Sequence, residues 1–110
     1  MTLAKELAQK LNKLNIEQSS WDWIDNLPED IWEEHFKENK PVEYRLDPDP
    51  HRWYETAIDV VKLKDGSFIG VRYVNNSYSE MQELSDIMWD LFFFEMEEVS
   101  SVTYIKKEES

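Results

Sequence analysis

The stretch WYETAIDVVKLKDGSFIGVRYV, residues 53–74, decides the fold of this chain. Its two halves are rich in β-branched and aromatic side chains, which is typical of paired strands. Between the halves lies Asp65-Gly66, a dipeptide that favours a tight turn because glycine tolerates the positive φ that such turns need. The sequence therefore predicts an antiparallel hairpin, with Trp53 to Leu63 as one strand and Phe68 to Val74 as the return strand.

Strand patterns continue on both sides of this hairpin. Residues 42–46 alternate apolar and polar side chains, which predicts a short strand, and the DPDP sequence of residues 47–50 predicts a rigid turn. Residues 79–90 have helical spacing and predict a short helix or an ordered loop. Residues 92–106 predict one long, bent third strand that pairs with the hairpin.

The first forty residues have helical spacing instead. Leucines recur every three or four positions over residues 2–14, which predicts an amphipathic helix packed on the core, with Thr2 as its N-cap. Pro28 followed by Glu29 and Asp30 predicts the start of a second helix, because proline suits the first helical position and acids suit the positive end of the helix dipole. The side chains that would face the core are Ile31, Trp32, His35 and Phe36.

Together these patterns predict one α+β domain over residues 1–110, with N-terminal helices packed on a three-stranded antiparallel sheet that contains a central hairpin. Residues 1–40 form its helical part and residues 41–106 its mainly β part. The length of 110 residues fits a single domain, and the 41% hydrophobic content is enough for a folded core.

Cysteine is absent from the chain. The sequence therefore has no disulfide, no thiolate zinc site and no thiol nucleophile. No apolar run approaches the roughly 20 residues that a bilayer-spanning helix needs. The start of the chain has helical spacing and does not resemble a signal peptide. These features favour a protein of the cytoplasm.

Groups suited to catalysis are few. The chain has two histidines, His35 and His51, and it lacks a nucleophile elbow, a phosphate-binding loop and a paired-histidine motif. His35 falls on the apolar face of the second predicted helix, so we expect it to pack in the core with its hydrogen bonds satisfied. His51 precedes a predicted strand, where we expect a structural role. We therefore predict no enzymatic activity and no cofactor.

Asp47, Asp49 and His51 form the stretch that most resembles a metal site. A calcium site needs about six oxygen ligands and usually a glycine in its loop. This stretch has two prolines and no glycine, so we predict no metal site. Because the chain has 24 acids, close carboxylate pairs arise by chance. A hydrolase that uses such a pair stays as a third alternative, and it would need a buried pair in a pocket.

Acidity dominates the composition, with 24 Asp and Glu against 12 Lys and Arg and a net charge of −12. Direct binding to nucleic-acid phosphates or to an anionic membrane requires clustered basic residues. Both are therefore disfavoured. An acidic protein attracts basic surfaces instead, and electrostatic steering accelerates the encounter. We expect the partner to be a basic protein.

The acids are also segregated along the chain. Residues 14–36 and residues 73–105 each hold seven acids and no Lys or Arg, whereas residues 41–75 hold six acids and five bases. We call residues 14–36 and residues 73–105 the base-free segments. Their acids recur about 6–7 Å apart on a helix or strand, close to the spacing of nucleic-acid phosphates, so they suit a basic nucleic-acid channel. The alternative is that they only keep the protein soluble. The predicted contact residues are Glu29, Asp30, Glu33, Glu34, Glu80, Glu83, Asp86 and Asp90.

The aromatic residues offer a second hypothesis. Five Trp, five Tyr and five Phe are many for one small core, so some of them should be exposed. Candidates are Trp21, Trp23 and Trp89. Exposed aromatic side chains anchor protein interfaces, so a structural, assembly or adaptor role is the alternative function.

Three stretches resemble a pattern in small acidic proteins of phages and prophages of Gram-positive bacteria. They are HRWYE at residues 51–55, DGSFIGV at residues 65–71 and SEM at residues 79–81. The resemblance extends over residues 51–106. Several such proteins inhibit host machinery, including anti-CRISPR proteins that block the Cas9 nuclease. The resemblance implies an inhibitor of a nucleic-acid-binding host protein such as Cas9, acting in the cytoplasm of the host bacterium. It carries no inhibitory residues over to this chain.

Overall fold

A computed structural model of the chain describes residues 1–78, 84–100 and 103–107. It contains one curled antiparallel sheet, a half-barrel with the strand order β1-β2-β3-β4-β5. The predicted α+β class with N-terminal helices on an antiparallel sheet is confirmed, but the prediction of three strands is wrong. The strands are Pro41–Pro50 (β1), Tyr54–Lys62 (β2), Phe68–Ser77 (β3), Phe92–Ser100 (β4) and Thr103–Lys106 (β5).

The helical part precedes the sheet. The first predicted helix is confirmed as α1, and the Thr2 hydroxyl caps it by accepting a hydrogen bond of 3.2 Å from the Lys5 backbone N–H. The second predicted helix begins after Pro28 as expected, but it soon widens into a π-helical turn. The helices are Leu3–Lys13 (α1), a 3₁₀ turn at Trp23–Asn26, Glu29–Ile31 (α2) with its π turn Trp32–Phe36, and Leu84–Ile87 (α3).

The strand β1 is longer than predicted, because it includes residues 47–50, which were expected to form a turn. Proline cannot donate a ladder hydrogen bond, but β1 is an edge strand with one bonded side, so its prolines are tolerated. Positive φ angles at Arg45 (54°) and Asp47 (47°) and three register shifts bend the strand. The strand β1 is therefore an irregular edge of the sheet.

The predicted third strand over residues 92–106 is two strands. Met96 pairs with Lys106 and Glu98 pairs with Tyr104, so β5 folds back on β4. A single strand would leave the backbone groups on one side of its second half without ladder partners, and the reversal satisfies them. Of the predicted helix or loop at 79–90, the short helix α3 is described, while residues 79–83 lie outside the described residues.

The predicted hairpin is confirmed as β2 and β3. Its turn uses Gly66 at φ 89° and also caps α1. The Asp65 carboxylate accepts a hydrogen bond of 3.0 Å from the Leu3 N–H, and the Ser67 hydroxyl accepts one of 3.0 Å from the Ala4 N–H. Because the first N–H groups of a helix lack intrahelical partners, this contact fixes α1 against the hairpin.

Two apolar clusters cover the two faces of the sheet. The larger cluster lies between the helices and the sheet, and it contains the leucine stripe of α1 and the inward side chains of the hairpin. Ile31, His35 and Phe36 are buried and Trp32 is partly buried, so the predicted inner face of the second helix is confirmed. The smaller cluster, on the face that α1 leaves uncovered, contains Ile58, Val60, Phe94 and Met96, with Leu46, Phe68 and Tyr104 packed against them.

Within the described residues, no helix is both long enough and apolar enough to span a bilayer.

Candidate functional site

The two base-free segments meet in the folded chain. Glu17 and Asp90 form an isolated antiparallel β-bridge. On either side of it, the Gln18 N–H donates to the Trp89 carbonyl at 2.8 Å and the Leu91 N–H donates to the Ile16 carbonyl at 2.8 Å. Both acids are exposed. The fold therefore joins acids that are more than seventy positions apart in sequence.

Gln18 holds this junction in place. Its side chain is 1% exposed. The side-chain carbonyl accepts from the Val74 N–H at 2.8 Å, and the side-chain amide donates to the carbonyls of Val74 at 3.0 Å and Ser20 at 3.1 Å. A glutamine amide has the donor and acceptor of a peptide group, so Gln18 extends the hydrogen bonding of β3 to the first base-free segment. No pattern in the sequence indicates this role.

The predicted contact residues of the first segment are all on the surface. Glu29 and Asp30 lie in α2, and Glu33 and Glu34 lie in the π turn; all four are exposed. Glu34 is the one with described ionic neighbours, with the Lys64 ammonium 3.9 Å and the His35 imidazole 3.6 Å from its carboxylate. The expected exposed acidic face of the second helix is therefore confirmed.

The predicted contact residues of the second segment are described only in part. Asp90 is exposed and lies at the bridge with Glu17. Glu80 and Glu83 lie outside the described residues, as does the side chain of Asp86, which belongs to α3. The partner of Asp90 in this bridge is Glu17, which was not among the predicted contact residues. Only the long-range bridge reveals it.

One carboxylate of the described residues is buried in the core. Asp59, on β2, is 5% exposed. It accepts hydrogen bonds from the Trp23 indole N–H at 2.8 Å, the Tyr73 hydroxyl at 2.7 Å and the Arg45 backbone N–H at 3.0 Å. Burial, together with the adjacent Asp59, raises the pKa of Tyr73. Asp59 thus ties the 3₁₀ turn to three neighbouring strands.

Sequence reasoning missed Asp59, although a pattern points to it. Its neighbours Ala57 and Val61 face the main core, and a residue at position 59 shares their face because side chains alternate along a strand. An acid at such a position requires hydrogen-bond donors. Trp23 and Tyr73, two of the aromatic residues that the sequence offers, supply them.

Asp59 does not form the buried carboxylate pair that a hydrolase would need. It is the one buried acid in the part of the chain that the structure describes, and it lines neither of the two described cavities. Its oxygens are occupied by three donors from the fold. The arrangement supports a structural role for this residue.

The two histidines have different surroundings. The His35 ring is buried as predicted, but its Nδ1 atom has no hydrogen-bond partner within residues 1–78, 84–100 and 103–107, so the expectation of satisfied hydrogen bonds is wrong. Burial lowers the pKa of His35, although Glu34 acts in the opposite direction. His51 stacks on Tyr54 with 4.8 Å between ring centroids and lies 3.6 Å from the Asp49 carboxylate.

Three tryptophans were candidates for exposure, and their surroundings differ. Trp21 is exposed at 49%, as predicted, whereas Trp23 is only 2% exposed because it packs in the main core, where its indole N–H donates to Asp59. Trp89 is partly buried and donates to the Arg72 carbonyl at 3.2 Å. Trp53, which was not predicted to be exposed, is exposed, and the Arg52 guanidinium lies over its ring, 4.7 Å from the ring centroid.

Comparisons with known proteins reveal no relative from which a function could be transferred. No family model matches the chain, and neither a curated protein nor a solved structure is significantly similar to it.

Proposed function

We propose that this protein is an acidic inhibitor that binds the basic, nucleic-acid-contacting surface of a host protein. The observation that carries the proposal is the junction of the two base-free segments at Glu17 and Asp90. Seven acids of the first segment have no Lys or Arg between them in sequence, and the bridge brings Asp90 of the second segment next to Glu17 of the first.

Repulsion between neighbouring acids in the free protein favours binding to a basic partner. Like charges within about 8 Å repel each other at physiological salt. A basic partner relieves this repulsion, and the acidic field accelerates encounter through electrostatic steering. Binding should therefore weaken with rising salt. Removing acids from the binding surface should reduce this salt dependence more than removing the same number of acids elsewhere.

The partner to test first is Cas9, because residues 51–106 resemble acidic phage proteins that include anti-CRISPR proteins. In the test, the protein competes with target DNA for a Cas9–guide complex at rising salt. We expect DNA binding to be blocked at low salt and restored as salt increases. An absence of any complex with Cas9 at low salt contradicts the choice of partner.

Paired variants separate the surface from the overall charge. Glu29→Gln with Glu33→Gln removes two charges from the predicted face. Glu6→Gln with Glu43→Gln removes two charges from outside the base-free segments. We expect the first pair to weaken inhibition by at least roughly tenfold and the second pair by much less. Equal effects from both pairs contradict the proposed face.

A second candidate function is assembly through exposed aromatic side chains. Trp21, Tyr44, Trp53 and Tyr78 are each about half exposed or more, at 49%, 58%, 50% and 50%. Such side chains bury large areas at interfaces. Static light scattering over a range of concentrations distinguishes the two functions: assembly requires a mass that rises with concentration, whereas an inhibitor of the proposed kind stays monomeric.

A further inference from the structure

The face of the sheet that α1 leaves uncovered forms an apolar groove. The strand register places Ile58, Arg72 and Phe92 in one cross-strand row, and Gly70 and Phe94 in the next. The groove has a volume of about 610 Å³, within the range of small-molecule sites. Its apolar lining includes Leu46, Ile58, Phe92, Phe94, Met96 and Tyr104.

Gly70 shapes the floor of this groove. A Cβ atom at position 70 would lie 2.7 Å from Phe94 Cε2 and 2.7 Å from Met96 Cγ. The absence of a side chain lets both residues lie flat against β3. The apolar floor therefore depends on a glycine in the centre of the sheet, where glycine otherwise weakens a strand.

Two cations line the same groove. The Arg72 guanidinium donates to the Thr56 hydroxyl at 3.1 Å and lies 3.6 Å from the exposed Asp47 carboxylate. Arginine has five N–H donors, so these two contacts do not exhaust it. The Lys106 ammonium lies 5.5 Å from the ring centroids of Phe92 and Phe94. Among the residues that the structure describes, Asp47 is the one acid that lines this groove, in a chain with twice as many acids as bases.

We propose that this groove binds a fatty acid, with the alkyl chain over the apolar floor and the carboxylate between Arg72 and Lys106. The inference does not rest on the proposed inhibitor function, because none of the predicted contact residues whose side chains the structure describes lines the groove. A carboxylate matches the cations, since arginine binds it through paired N–H donors.

Other occupants fit less well. A nucleotide base is read by side-chain donors and acceptors, whereas the lining is apolar apart from Arg72, Lys106, Asp47 and the Tyr104 hydroxyl. That hydroxyl lies 3.3 Å from Glu98, to which it donates. A second copy of the chain would bring another net charge of −12 against the first, which disfavours self-association.

The test uses decanoate as the probe and decanol as its uncharged analogue, at physiological salt. Calorimetry gives the affinities, and the Met96 methyl resonance reports binding inside the groove. We expect decanoate to bind and to shift that resonance with the same saturation curve. Decanol should bind roughly tenfold more weakly, because it lacks the charged partner of Arg72 and Lys106.

Variants locate the charge. Lys106→Gln should weaken decanoate binding by roughly tenfold. Lys40→Gln, an exposed lysine outside the groove, removes the same charge and should leave the affinity unchanged. Phe92→Ala should weaken the binding of both decanoate and decanol, because it removes part of the apolar lining of the groove.

Four outcomes overturn the proposal. They are the absence of decanoate binding, a Met96 resonance that does not move, equal affinity for decanol, and unchanged affinity in Lys106→Gln. Light scattering adds a fifth, because a dimer whose formation shifts the Met96 resonance would assign the groove to a second copy.

Discussion

Glu17 and Asp90 lie directly opposite each other in an isolated antiparallel β-bridge, and both side chains are exposed. Residues in such positions have Cβ atoms about 4.5–5.5 Å apart, and like charges there are destabilising. The backbone hydrogen bonds of Gln18 and Leu91 hold the two segments together in spite of this repulsion. The free protein therefore gives up some stability to keep two acids side by side.

Removing one of these charges should stabilise the protein. We expect Glu17→Gln to raise the free energy of unfolding by roughly 0.2–1 kcal/mol at low salt, with less gain at high salt. Urea unfolding at two salt concentrations measures the effect. The control is Glu97→Gln, an exposed acid opposite the uncharged Ile105. An equal gain in both variants would mean that overall charge, and not the bridge, is responsible.

The segregation of acids was visible in the sequence, but the place where they meet was not. Helical spacing after Pro28 predicted that Glu29, Asp30, Glu33 and Glu34 would be exposed, because local periodicity determines which face of a helix is buried. The contact of Glu17 with Asp90 depends on tertiary pairing over more than seventy residues. No local pattern encodes such a pairing.

The buried carboxylate of Asp59 should be essential for stability. We expect Asp59→Ala to lower the free energy of unfolding by roughly 3–5 kcal/mol, because three donors would lose their acceptor in the core. Urea unfolding measures the loss, and near-ultraviolet circular dichroism reports whether the surroundings of Trp23 change.

Tyr73→Phe provides the comparison for Asp59→Ala. It removes one donor and keeps the carboxylate bound to the two others, so its cost should be smaller, about 1–3 kcal/mol. If the two variants were equally stable, the network around Asp59 would not act as a unit.

His35 should make stability depend on pH. Burial lowers its pKa from the ordinary value of 6.5, so the unfolded chain takes up this proton before the folded chain does. The stability that His35 contributes is therefore complete above pH 6.5 and is lost as the pH falls toward the folded-state pKa. The slope should be at most about 1.4 kcal/mol per pH unit.

Unfolding measured between pH 7.5 and about 5.5 tests this dependence. We expect the stability of His35→Gln to change less with pH. His51→Gln keeps the buried imidazole, so it should still lose stability as the pH falls. A profile that is the same in His35→Gln and in the natural sequence would refute the assignment.

Gly70 should tolerate no side chain while Met96 is present. We expect Gly70→Ala to cost roughly 1–3 kcal/mol, because its Cβ would overlap Met96 and Phe94. Met96→Ala opens space at that position, so the double variant should lose less than the sum of the single losses. Simple additivity in urea unfolding would show that the close approach does not limit packing.

The strands show the same division between local and long-range information. The Asp65-Gly66 turn determines its hairpin locally, and that hairpin was predicted correctly. The end of β4 and the return of β5 could not be predicted, because the alternation of Phe92, Phe94 and Met96 defines a face and not a partner. The groove depends on both β4 and β5, so it was equally beyond the reach of the sequence.

The irregular outer edge of β1 also affects how the protein behaves at high concentration. A flat edge strand can recruit strands from other molecules and start a fibril. Three prolines, at positions 41, 48 and 50, remove donors from β1, and the positive φ angles at Arg45 and Asp47 twist it out of register. Growth of the sheet from this side is therefore disfavoured, so β1 does not offer other copies of the chain a flat template at high concentration.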